Sequence, residues 1–190
     1  MRETSYVGLA VPPTVAVVRG VKPDRLDAPT PCGDWTVRHL LDHLLEWGPA
    51  LAAAGRRAEP AASGRKAEPV QAGQDLEAVY DDLVTAWSDP AAWEGTTRVG
   101  GPQELPAAMI GGMVLAEVVV HGWDLARATG QEVDWAPGLL EVVHREIAAT
   151  AEMGRAMGIY GPPVPVDGSE PVLARALGLT GRDPHWMACH

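Results

Sequence analysis

LPAAMIGGMVLAEVVVHGWDLARA, residues 105–128, decides the fold. The stretch is apolar nearly all round, which marks a helix enclosed by other helices rather than one lying on a surface. Gly130 is placed to stop it. Its length would admit a membrane span, but an early proline, glycines and the ionisable Glu117 and His121 favour a helix buried in protein. The spacing predicts a central helix over Leu105–Ala128, with the remaining elements packed around it.

Working outward, residues 36–51 place Val37, Leu40, Leu41, Leu44, Leu45 and Leu51 on one helical stripe, with Thr36 or Asp34 available as the cap. Leu76, Val79, Tyr80, Leu83, Val84 and Trp87 form a second stripe that ends at Ser88-Asp89-Pro90. A further helix starts at Pro137 and turns Leu140, Val143, Ile147 and Ala151 inward. Tyr6, Leu9 and Val17 suggest a first helix that Pro12-Pro13 breaks. Residues 54–73 contain GRRAEPAASGRKAEP, an imperfect duplication with no buried stripe, and read as a mobile loop. From about residue 157 the chain turns proline-rich, with a short helical piece near Val172–Leu177, and reads as an irregular strap. No run alternates as a strand should. The expectation is an all-α, four-helix bundle in a single domain spanning 1–190, with its functional site between facing helices.

Composition agrees with a folded domain: 190 residues are 46% hydrophobic and 21% charged. Fifteen basic against 25 acidic residues leave a formal charge of −10, a field that repels phosphate backbones and anionic lipid, so nucleic acid and membrane surfaces are not expected partners. Two cysteines, Cys32 and Cys189, cannot form a disulfide framework, and the N-terminal segment lacks the pattern of an export signal; both point to the cytoplasm.

The chemistry concentrates on the central helix. Glu117 and His121 are four apart and Asp124 three further on, so a polar stripe crosses an apolar helix. A buried carboxylate needs a cation, a base or a metal ion beside it. His43, at the margin of the leucine stripe beside Trp47, is the better third ligand, because His39 points further towards solvent. Two imidazoles and one carboxylate suit catalytic zinc, and equally non-haem iron. A Glu and a His at this spacing can also simply hydrogen-bond to one another or to an arginine. Asp124 is the candidate to orient a ligand or hold a proton, and Arg127 the candidate for substrate recognition or for pairing with a carboxylate. Cys32 stands ahead of a helix, where its thiol could be activated, but local spacing puts no histidine beside it and Asp34 would oppose a thiolate, so it reads as loop packing.

Three segments, LDAPTPCGDWTVRHLLDHLLEW from Leu26, AEVVVHGWDLARATGQ from Ala116 and LGLTGRDPHW from Leu177, together resemble the DinB-like metal-binding superfamily. Within it they are most similar to the group related to the N-terminal domain of mycothiol-dependent maleylpyruvate isomerase. The resemblance implies a four-helix bundle holding a divalent metal, commonly zinc with iron or nickel as alternatives, on the positions matched by His43, Glu117 and His121. It also implies a low-molecular-weight thiol cosubstrate, mycothiol or bacillithiol, presented as a thiolate. Two departures stand out. His39 replaces the acidic residue that relatives often carry, which should remove one half of a capping box begun by Thr36, and Pro12-Pro13 interrupts a helix that relatives keep continuous.

The expected function is therefore metal-dependent activation of a thiol or water for transfer to, or isomerisation of, a small electrophilic substrate. A non-catalytic binding or sequestration protein and a metal-independent cyclase or isomerase on the same bundle are the alternatives. Monomer and homodimer are both open.

Overall fold

The structure, a computed structural model, describes residues 6–59 and 72–188. Among these the chain forms α1 (Tyr6–Arg19), α2 (Val37–Arg56), α3 (Ala72–Trp87), α4 (Ala107–Thr129), α5 (Pro137–Ala156) and α6 (Val172–Leu179). α4 is the hub: it packs on α1, α2 and α5, while α3 closes the bundle against α1 and α2. It is the one helix among the described residues long and apolar enough to cross a membrane, and 78% of its most apolar window lies buried inside the bundle. Among the described residues the fold is all-α apart from one two-stranded pair, with four helices around the core as expected.

The leucine stripe of α2 is buried throughout, from Val37 to Leu51, and on α3 the residues Leu76, Tyr80, Leu83 and Trp87 face the same core. The α2 helix runs past the expected end, through Pro49 to Arg56. Both flanks of the stretch read as a loop are thus helical, while residues 60–71 lie outside the described residues.

Three local expectations are corrected. First, α1 is a continuous helix containing both Pro12 and Pro13. Pro12 is exposed and Pro13 half-buried, and the buried face formed by Val7, Ala10, Val11, Thr14, Val17 and Val18 keeps its packing and holds the helix despite the two lost donors. The Thr14 hydroxyl lies 3.1 Å from the carbonyls of both Ala10 and Val118, tying α1 to α4. Second, Leu105 and Pro106 do not start α4. They form β2, paired antiparallel with β1 (Thr96–Thr97), and extended Pro106 caps a helix that begins at Ala107. Third, the capping box of α2 is intact. Thr36 Oγ1 accepts from the backbone of His39, and the Thr36 N–H donates to His39 Nδ1 at 3.2 Å, so an imidazole nitrogen does the work of the missing carboxylate.

At Gly122 the backbones come close. A Cβ there would stand 2.7 Å from Thr14 Oγ1 and 3.0 Å from the Trp135 ring, so the absence of a side chain lets α1 seat closely on α4. Gly130 ends α4 with φ 69°, the conformation anticipated for a glycine stop. Beyond α5 the chain runs back as a strap: Gly161 and Val164 donate to the carbonyls of Thr180 and Gly178, and Arg155 reaches the carbonyl of Leu179.

Candidate metal centre

Helical periodicity puts Glu117, His121 and Asp124 on one side of α4, and packing of α2 brings His43 opposite them. His43 Nε2 donates to Glu117 Oε1 at 2.7 Å, and His121 Nε2 lies 3.6 Å from Glu117 Oε2. The two imidazoles meet edge to face with centroids 5.1 Å apart. One ligand atom from each of His43, Glu117 and His121 lies within 4.8 Å of the others. Ligand atoms held about 2.0–2.1 Å from a shared tetrahedral zinc stand roughly 3.3 Å from one another, so this set is of the right chemistry and nearly the right spread to hold a divalent ion. His43 and Glu117 each keep about a quarter of the side chain exposed, at 23% and 24%, which leaves the cluster open to a small ligand.

Burial drives the Glu117 carboxyl upward, but the neighbouring His121, the hydrogen bond from His43 and the charge of Arg182 outweigh it and hold the group below the usual carboxylate range. Glu117 is thus ready to act as an anionic donor.

Asp124 is completely buried and accepts a 2.9 Å hydrogen bond from His121 Nδ1. Its compensating cation is Arg182, from the strap: Nη2 donates to Oδ2 at 3.0 Å and Nε to Oδ1 at 3.4 Å. The same Nη2 reaches Cys32 Sγ at 3.1 Å. Cys32 is therefore more than loop packing. Its sulfur, a His121 nitrogen and an Asp124 oxygen form a second group within 4.8 Å, a neighbourhood that local spacing could not reveal. Burial pushes its thiol up to about 11, with Arg182 pulling the other way, so helix-start activation does not prevail.

Arg127 turns away from the cluster. Its guanidinium donates through Nε and Nη2 to the carbonyl of Trp186 at 3.1 and 2.6 Å, fastening the strap to α4. His39, exposed, serves the α2 cap.

Sequence reasoning missed Arg182 and Trp35. Trp35 covers the cluster, its ring 4.9 Å from His43 and stacked at 6.3 Å on His121. A signal for Arg182 existed: a carboxylate on an apolar helix requires a cation, and the strap motif carried an arginine. Trp35 precedes the capping threonine by one residue and had no comparable signal. Tyr80 is also buried near this region; its hydroxyl has no hydrogen-bond partner among the described residues, and burial followed by the charge of Glu117 raises its pKa.

Comparison with known proteins gives the family. Residues 12–126, more than half of the chain, match the family described as mycothiol maleylpyruvate isomerase N-terminal domain. Two curated proteins of Mycobacterium tuberculosis, the uncharacterized proteins Rv0738 and MT0763, are each 32% identical over 178 residues, covering 88% of this chain and 92% of theirs. Among solved structures, the mycothiol-dependent maleylpyruvate isomerase aligns with a TM-score of 0.62 at 18% identity, over 89% of this chain and 76% of that one. A point mutant of that enzyme aligns over the same shares with a TM-score of 0.55 at 17% identity.

Proposed function

We propose, for a chain that belongs to the mycothiol maleylpyruvate isomerase N-terminal domain family, a metal-dependent enzyme that activates a low-molecular-weight thiol of the mycothiol type, or water, for transfer to or isomerisation of a small electrophile. The observation that carries this reading is the convergence of His43, Glu117 and His121 from two helices, with their ligand atoms mutually within 4.8 Å. The mycothiol dependence of the structurally similar isomerase supports the choice of thiol. Zinc is the metal we expect, as in the family resemblance, with iron or nickel as alternatives, since two imidazoles and a carboxylate serve zinc and non-haem iron alike. When bound, a divalent ion supplies a Lewis-acid centre that stabilises a deprotonated thiol or water at neutral pH.

The protein's own groups do the rest. His43, Glu117 and His121 contribute two nitrogens and one oxygen, and the partial exposure of His43 and Glu117 leaves a side open to a cosubstrate. Asp124 accepts the Nδ1 proton of His121 and so directs Nε2 at the cluster. Trp35 roofs both imidazoles and limits the approach of water. Arg127, committed to Trp186, would reach a substrate only if the strap moved.

Elemental analysis of the purified protein, coupled to turnover of a panel of thiols with electrophiles in the presence and absence of chelator, tests the reading. The expected result is about one equivalent of divalent metal, lost in His121→Ala, and turnover abolished by chelation and restored by metal. Turnover that survives complete metal removal would point to the metal-independent isomerase instead. Metal retention or ligand-induced stabilisation without turnover of any pair would favour a binding protein.

A further inference from the structure

The polar stripe of α4 is completed by a residue that belongs to no helix of the bundle. Arg182 follows α6 in the strap, is 6% exposed, and makes its ion pair with a carboxylate 58 positions away. Nothing about the stability of a small helical domain asks for a buried arginine and a buried aspartate at this place; an apolar pair of similar volume would serve as well or better. The pair sits instead directly behind His121. Asp124 uses Oδ2 both for His121 Nδ1 and for Arg182 Nη2, while Oδ1 takes Arg182 Nε, so the planar guanidinium fork fixes the carboxylate on two sides. Arg182 is itself anchored by Nη1 on the carbonyl of Thr180. Gly181, between them, has φ 87°, a turn that few other residues would accept and that aims the arginine inward.

We propose that Arg182 is a positioning residue for His121: by fixing Asp124 it keeps the His121 proton on Nδ1 and the Nε2 lone pair facing Glu117 and His43, so that the C-terminal strap completes the metal centre. This rests on the reading of His43, Glu117 and His121 as metal ligands. Among the described residues Arg182 reaches His121 through Asp124, with its hydrogen bonds made to Asp124, Cys32 and the carbonyl of Thr180, while its charge also bears on Glu117.

The test compares wild type, Arg182→Met and Arg182→Lys in two measurements. One is zinc affinity, by competition with a chromophoric chelator. The other is the tautomer of His121 in the metal-free protein, by long-range nitrogen–proton NMR on isotope-labelled histidine. Arg182→Met is expected to retain helical circular dichroism, to bind zinc about 10- to 100-fold more weakly, and to show His121 as a tautomer mixture. Arg182→Lys, which keeps the charge but not the fork, is expected to recover part of the affinity. A role confined to packing would lower the melting temperature while leaving zinc affinity of the folded protein and the tautomer as in wild type, and that outcome would overturn the proposal. Should Arg182→Met fail to fold, the wild-type spectrum still decides: a proton on Nε2 of His121 refutes the proposal. If wild type takes up no zinc yet holds the Nδ1–H tautomer and loses it in Arg182→Lys, the metal reading fails and the positioning role stands.

Discussion

His43 Nε2 stands 2.7 Å from Glu117 Oε1, a contact between two helices made across 74 positions of sequence. Neither residue needs the other for its own helix. The α2 helix is held by its leucine stripe and α4 by contacts on three sides, so the pair is brought together by core packing and is open to a third participant. The carboxylate is held low by its neighbours and only partly shielded from solvent, as the proposed metal reading requires.

If a divalent ion takes that place, binding will stabilise the fold by mass action. Zinc at about one hundred times its Kd adds roughly 2.7 kcal/mol. Thermal melts of chelated and zinc-loaded wild type should therefore separate by several degrees, whereas His43→Ala and Glu117→Gln should melt alike in both conditions. Identical wild-type melts with and without zinc would contradict the assignment.

Cys32 gives a pH-dependent signature. With its thiol raised to about 11 by burial, against an ordinary value of 9.0, alkylation by iodoacetamide should be slow at neutral pH and accelerate only as the pH approaches 11. The sign for stability follows from proton binding. Between pH 9 and 11 the folded state holds a proton that the unfolded state releases, so the Cys32 contribution is fully present below 9 and declines across that window. Peptide-resolved mass spectrometry of the alkylated Cys32 peptide reads the first effect; half-maximal labelling near pH 8 would be inconsistent with it.

Gly122→Ala should destabilise the bundle, since a methyl group would meet Thr14 and Trp135 well inside normal contact distance in a region with no space to yield. A loss of about 1–3 kcal/mol is expected from overpacking, read as a lower urea midpoint with an unchanged slope. An unaltered midpoint would show that α1 and α4 are free to separate there.

The cap of α2 makes a smaller prediction. Thr36→Ala removes the oxygen that accepts from His39 N and should cost about 1 kcal/mol in chemical denaturation. His39→Ala should cost less, and His39→Glu should preserve stability by restoring the usual partner of the box. A His39→Ala protein losing as much as Thr36→Ala would mean that the imidazole does more than cap.

Much of this architecture was legible beforehand, because helical faces are written in a local period. The stripes of α2 and α3, the enclosure of α4 and the alignment of Glu117, His121 and Asp124 all follow from roughly 100° per residue, and the stop at Gly130 from the left-handed cap that glycine accepts. Local rules failed where tertiary packing overrode them. Pro12 and Pro13 break an isolated helix, yet α1 continues because its apolar face is buried against the bundle. His39 was read for the charge it lacks rather than for the nitrogen lone pair it offers.

The sequence by itself determined which residues share a helix face and that a carboxylate on the most apolar helix must find a cation. Only the tertiary structure decided which groups answer it: His43 beside Glu117, Arg182 behind Asp124, Cys32 against the guanidinium and Trp35 over the imidazoles. The physical reason is one of range. Backbone dihedrals repeat from residue to residue and fix direction along a helix, whereas the rotation and axial register of one helix against another come from how the whole core packs, which no local window contains.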